Sequence, residues 1–487
     1  MIKMLRLKNF KAFEDTKEIQ LKPLTVLAGP NSGGKSSILQ SLLLLKQTLE
    51  TEVPGVALNL EGRFLQFSGF EELVFGKPAL SKCEVTYQFL TETPTPAGLL
   101  RRYISDVYPT VLDSSNFHGL ETNIEISLRY KKKGKDSRAM VRPSKCVIKS
   151  SYGENIGPEL TIELRGERYI TKRGGRGKFR PNTGMLRKIK DATFSYFLPS
   201  YHIMTVETDD GGERLEPERM MLDPVFRIPL RGLRNELDEN IRYLGPLREE
   251  PRRAYLHSGS PFPEIGKKGE YAAQMLWVEK DKKVRFVKDL HEEPIESTLL
   301  EAVSQAFISL GVTEPIDISS MRRLIYQVLF RIDQTSFGKE VTIADVGFGM
   351  SQLLPIIVLG LRSPESSILI FEQPEIHLHP KLQSKLADFM LGLTASGKRV
   401  LVETHSDYFI HRLRRRIAED KSDELREKIS ILFVRPPVGG KGAEIEPLRV
   451  DEYGVIENWP PDFLPESGDE AEAIIRASIE KRKRQRA

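Results

Sequence analysis

The 487-residue chain has room for two domains, or for one large fold carrying a substantial insertion. Hydrophobic residues at 39% and charged residues at 29% lie near the globular average, which excludes a disordered or fibrous protein. A formal net charge of +5, from 73 basic and 68 acidic side chains, is too small a surplus to argue for nucleic-acid binding by itself, so local clusters must decide that question.

In chain order, Met1 to Lys8 alternates apolar and basic residues, which predicts a strand and lacks the continuous apolar core of a signal peptide. Residues 1–49 read as strand, turn, strand, glycine-rich loop and helix, the loop following the apolar strand Leu24 to Ala28. From 50 to 240 the helical pattern fades. Alternating segments at Cys83–Phe89, Asn123–Tyr130 and Leu160–Leu164 predict a β-rich insertion. Cys83 and Cys146 have no zinc-ligand spacing and read as semi-buried thiols in a reducing cytoplasm. Between Arg165 and Lys190 ten basic residues stand against one further acid, Glu167. That stretch reads first as a solvated basic loop, with a phosphate-backbone contact surface for DNA as the alternative.

The segment 241–465 becomes regular again. A helix is expected from Glu296 to Leu310, stopping at Gly311, with strands near 322–333 and 340–345. Apolar strands at Ser367–Phe371, Arg399–Val402 and Ile429–Val434, with helices between them, predict a mainly parallel sheet. The longest apolar run, Leu353 to Leu361, is interrupted by Pro355 and Gly360 and falls far short of a membrane span of roughly 20 residues, so no membrane association is expected. The charged segment 466–487 reads as a frayed tail, with a DNA or partner tether as the alternative.

Four constellations carry chemistry. Gly29-Pro30-Asn31-Ser32-Gly33-Gly34-Lys35-Ser36, followed by Ser37, has the P-loop spacing between a strand and a helix. Glycines let backbone N–H groups turn onto phosphates, Lys35 reaches the β and γ phosphates of ATP, and Ser36 ligates Mg2+. Ile368 to Glu372 is an apolar strand ending in a carboxylate, the Walker B arrangement, in which Glu372 holds the magnesium shell. The strand Arg399 to His405 ends in a histidine, and Asp345 to Gln352 is a glycine-rich turn opening a helix. His377 and His379 lack a third ligand of convincing spacing, so a metal site is rejected there.

Together these residues resemble the prokaryotic AAA-type ATPases of the OLD-nuclease and SMC relatives, with ABC-like nucleotide sites. The match runs through Gly29–Ser41, Tyr243–Arg248, Gly347–Pro355, Glu372–Pro380, Thr404–Asp407 and the closing Gly454–Phe463, while residues 50–240 carry no resemblance. It implies an α/β P-loop NTPase fold, an ABC/SMC-like ATPase head, with a β-rich insertion. It also implies that His405 contacts the γ-phosphate. In such ATPases the loop bearing Gly347, Gly349, Ser351 and Gln352 meets a nucleotide held by a second copy of the chain, and the segment Glu375–Pro380 falls where the partner subunit is contacted. Relatives occur as ATPase subunits of two-component antiphage systems such as Septu and PARIS, where an effector nuclease or toxin is a separate chain.

One departure bears on turnover. Where ABC and SMC enzymes place a catalytic glutamate directly after the Walker B acid, this chain has Gln373, which orients water but cannot take its proton. Glu375 is then the nearest candidate base, and slow hydrolysis with a long-lived closed state is expected. The reading is a cytoplasmic, ATP-gated homodimer or larger assembly controlling an effector encoded nearby. The alternative is a DNA-repair or DNA-maintenance ATPase that clamps DNA directly.

Overall fold

The computed structural model describes residues 1–460 except positions 52, 54, 77, 80–82, 95–118, 132–139, 153–154, 167, 176–186, 208–212, 257–263, 289, 291, 312–315, 323–324, 332–339 and 347. Residues 461–487, including the expected charged tail, lie outside the described part.

The sheet that positions the site is built from β1 (Leu24–Ala28), β2 (Ile241–Leu244), β3 (Ile368–Glu372), β4 (Arg399–Glu403), β5 (Ile429–Arg435) and β6 (Glu444–Leu448). Their order is β2-β3-β4-β1-β5-β6, parallel throughout except for the antiparallel β6. β1 and β4 are buried at every residue, as strands covered by helices on both faces must be. Around this sheet lie α1 (Lys35–Leu49), α2 (Phe348–Arg362), α3 (Pro380–Ala395) and α4 (Asp407–Glu419). This is the expected α/β arrangement, and register fixes the site: Glu372 lies opposite Glu403 on β4, and Glu403 opposite Leu27 on β1.

The strand expected over Met1 to Lys8 spans Ile2–Phe10. Ile2–Phe10 stands outside the parallel sheet and pairs antiparallel with Glu84–Pro94, from which the ladder continues through Gly119–Lys131, Met140–Tyr152, Asn155–Arg165 and Arg168–Gly175. The residues expected to form an insertion therefore share one core with the P-loop helix. Leu5, Leu7 and Phe10 pack in the same cluster as Ile38 and Leu42 of α1 and as Phe89, Ile126, Ile148 and Ile162. Cys83 and Cys146 are fully buried in it, not semi-buried, and desolvation pushes the Cys146 thiol up to about 12.

Two further expectations change. The basic stretch read as a loop is in part a strand: Arg168–Gly175 pairs with Asn155–Arg165 through a turn at Gly166, which takes φ 61°. Lys172 is exposed on this strand, and 176–186 lie outside the described residues. The end of the expected β-rich region is helical, with Pro224–Asn235 followed by a π-helical turn at Glu236–Asn240. Pro224 and Pro229 mask the helical period there, although proline suits the first turn and Asp223 accepts from Val225 N as the cap. The helix expected to stop at Gly311 spans Leu299–Leu310. Thr298 and Glu301 form a capping box at its start, and Gly311 takes φ 97° at its end.

Candidate functional site

The P-loop leaves the end of β1 and turns into α1 through backbone that most residues avoid. Gly29 has φ 134°, Ser32 φ 60° and Gly34 φ 105°, conformations that turn successive N–H groups inward as an anion-binding nest. Gly29 is further restricted by β5, because a Cβ there would stand 2.5 Å from the Val434 carbonyl oxygen. Lys35, 3% exposed, donates from Nζ to the carbonyls of Gly29 at 3.0 Å and Pro30 at 2.7 Å. Burial holds its pKa below the usual lysine value, opposed by the carboxylates of Glu403 and Glu375.

An open cavity of about 920 Å³ lies over this loop. Asn31 to Ser37 form one wall, and Gln373, Glu403 and His405 project from the C-terminal edges of β3 and β4 opposite. In the chain these groups stand more than three hundred residues from the loop. The pairing of β4 directly with β1 brings them together.

The carboxylates divide into distinct roles. Glu372 is held up to about 7, chiefly by burial and then by the neighbouring Glu403, and it accepts a hydrogen bond from the Tyr243 hydroxyl of β2. Glu403, 3% exposed, accepts from the Ser36 hydroxyl at 2.9 Å through Oε1. Its Oε2 is buried without a hydrogen-bond partner among the described residues. Glu375 is buried away from the cavity, its Oε1 accepting from the His405 backbone N–H at 2.7 Å. Burial raises its pKa against those hydrogen bonds and the Arg248 charge. Burial, followed by the Lys35 charge, lowers the His405 pKa and favours the neutral imidazole, whose buried Nε2 has no hydrogen-bond partner among the described residues.

Gln373 sits at φ 43°, its N–H donating to the Glu403 carbonyl at 2.7 Å. Arg248, 8% exposed, reaches the carbonyls of Glu372 and Gln373 at 3.5 and 3.3 Å and supports this turn from below. Glu403, Tyr243 and Arg248 were not singled out as site residues from sequence. Glu403 stands two residues before His405, and Tyr243 and Arg248 frame the Tyr243–Arg248 motif, so the signals were present without a geometry to interpret them.

The glycine-rich loop at the start of α2 does not present all its expected residues. Ser351 and Gln352 are 5% and 2% exposed, packed inside the chain. Their helix lies against the core, so neither side chain is offered at the surface. Gly349 and Met350 are half-buried, and Gly347 lies outside the described residues. His379 accepts from Lys381 N at the start of α3 and acts as its cap. Among the described residues no helix is long and apolar enough to cross a membrane.

A phosphate-binding loop at the C-terminal edge of a parallel sheet, facing the buried Glu403 carboxylate, a glutamine and a histidine, defines a P-loop NTPase fold. Residues 1–145 match the family described as "AAA ATPase domain", and residues 189–411 the family described as "AAA domain, putative AbiEii toxin, Type IV TA system". These matches support the coarse assignment of the chain as an AAA-type ATPase. No curated protein matches it. Among solved structures it is similar to the SMC head domain from Thermotoga maritima, at 11% identity over 92% of this chain and 99% of that one, with a TM-score of 0.37. It is likewise similar to an SMC head bound to the C-terminal winged-helix domain of ScpA, at 12% identity over 93% and 98%, with a TM-score of 0.42. A third likeness is to the SMC head with extended coiled coil bound to the C-terminal domain of ScpA, from Pyrococcus furiosus, at 12% over 92% and 96%, with a TM-score of 0.40.

The oxygen donors also suit magnesium, the ion such ATPases use. The Ser36 hydroxyl and the unpartnered Glu403 Oε2 are hard ligands, and carboxylates with hydroxyls are what Mg2+ selects.

Proposed function

We propose that the chain binds Mg2+–ATP in this cavity and hydrolyses it slowly, acting as the regulatory ATPase of a bacterial defence system that controls a separate effector. The observation that carries the slow-switch reading is Gln373. At the cavity wall where hydrolysis needs a water activated, the chain offers an amide that orients water without accepting its proton, beside a neutral His405. Lys35 and the loop N–H groups would bind and neutralise the phosphates, and Ser36 with the site carboxylates would hold a magnesium ion that adds to that charge neutralisation. A long-lived ATP state then serves as a signal held in the assembly of copies. The defence role is supported by the toxin-linked description of the family matching residues 189–411 and by the resemblance to antiphage ATPase subunits.

The test is copurification with the product of the adjacent gene, followed by mass measurement with and without ATP. ATP-dependent assembly with a nuclease or toxin is expected. Stimulation of hydrolysis by DNA with no partner bound would replace this reading with direct DNA clamping.

A further inference from the structure

We propose that Glu403, two residues before the histidine, is a magnesium-holding carboxylate of the nucleotide site, sharing with Glu372 the role ordinarily given to the Walker B acid alone. This rests on the ATPase reading and sharpens it.

β4 lies between β3 and the P-loop strand β1, so a side chain at its C-terminal end is nearer the P-loop than the end of β3 is. Glu403 occupies that end and Glu372 lies opposite it one strand further out. The side chains follow. Glu403 bonds the Ser36 hydroxyl, the group that would ligand the metal, whereas Glu372 is engaged by Tyr243 on the far side. Glu403 also lines the cavity, while Glu372 is not among its lining residues.

Its second oxygen makes the site incomplete as it stands. A carboxylate oxygen buried with no donor is costly unless a cation or donor completes it, and the nearest fixed cation, Lys35, is committed to the carbonyls of Gly29 and Pro30. A hard divalent ion held between Ser36 and Glu403 satisfies that oxygen. Holding Ser36 in its rotamer is the lesser role that the Oε1 contact alone would explain; the stranded Oε2 is what that role leaves unexplained.

The experiment measures Mn2+ as a paramagnetic probe, by electron paramagnetic resonance, on the full-length chain saturated with a non-hydrolysable ATP analogue. Binding of the analogue in excess chelator is followed separately. Glu403→Gln keeps an acceptor for Ser36 but removes the charge, and is expected to weaken Mn2+ binding about 10- to 100-fold while metal-free analogue binding and the melting temperature hold. Glu403→Asp, which shortens the reach and keeps the charge, should fall between. Wild-type Mn2+ affinity in Glu403→Gln, with the loss confined to Glu372→Gln, would overturn the assignment and leave the ATPase reading intact. Failure of the wild-type chain to bind the analogue at all would overturn both.

Discussion

Glu375 separates two explanations of how this site works. If it were the general base, Glu375→Gln would remove the proton acceptor and lower single-turnover hydrolysis by roughly two orders of magnitude or more. The structure points to a positioning role instead, because Glu375 carries the His405 backbone N–H on Oε1 and is only 7% exposed. Its pKa is raised because burial outweighs the His405 hydrogen bond and the Arg248 charge, so at neutral pH the ionised form is a net cost to the fold. The sign is therefore that stability falls as pH rises from the unfolded carboxyl value toward the raised folded one, and an uncharged isostere removes that loss. Glu375→Gln retains an acceptor for His405 and should be as stable as wild type or slightly more so, with hydrolysis reduced less than about tenfold. Glu375→Ala strands the His405 N–H, at a cost of about 1–3 kcal/mol, and should lower turnover more than Gln does by releasing His405 from the cavity wall. Urea unfolding read beside single-turnover hydrolysis checks both. A Glu375→Gln chain of wild-type stability that has lost about a hundredfold in hydrolysis would refute the positioning role and make Glu375 the base.

Lys35→Ala should abolish turnover while the fold persists, because the charge meeting the β and γ phosphates is lost; measured hydrolysis equal to wild type would remove the site from the P-loop. Gly29→Ala should lower stability by about 1–3 kcal/mol in thermal melts and weaken nucleotide binding, since its Cβ would meet the Val434 oxygen at 2.5 Å; an unchanged melt would show that β5 can yield. Ser351→Arg should fail to fold, not merely block assembly, because an unpaired guanidinium would be buried where Ser351 is 5% exposed, and a soluble monomer with wild-type circular dichroism would restore the interface reading. Gln373→Glu adds a third carboxylate beside Glu372 and Glu403, so its effect on rate should be accompanied by tighter dependence on Mg2+, read as a shift in the magnesium concentration for half-maximal hydrolysis.

What the sequence determined by itself is the chemistry that depends on local spacing. The P-loop needs only a short run of consecutive residues between a strand and a helix, and the strands ending at Glu372 and near His405 are visible as apolar runs because both faces are buried. The helix capped by Thr298 and ended by Gly311 was legible for the same reason, since capping is a property of neighbours in the chain. Strand order was not legible. Whether Ile2–Phe10 joins the parallel sheet or the antiparallel one depends on a partner, Glu84–Pro94, that no local pattern specifies, and the residues expected as an insertion share the P-loop core through it. The site's division of labour belongs to the same class. Glu403 looked like one acid in an apolar strand until β4 was seen to lie next to β1, which sets its carboxylate against Ser36. Glu375 reads in the sequence as the nearest candidate base, and only the fold shows its carboxylate holding the His405 backbone N–H. Side-chain identity is written along the chain, but which oxygen faces the nucleotide is decided by which strands are neighbours, and that is a choice made by the whole buried core at once.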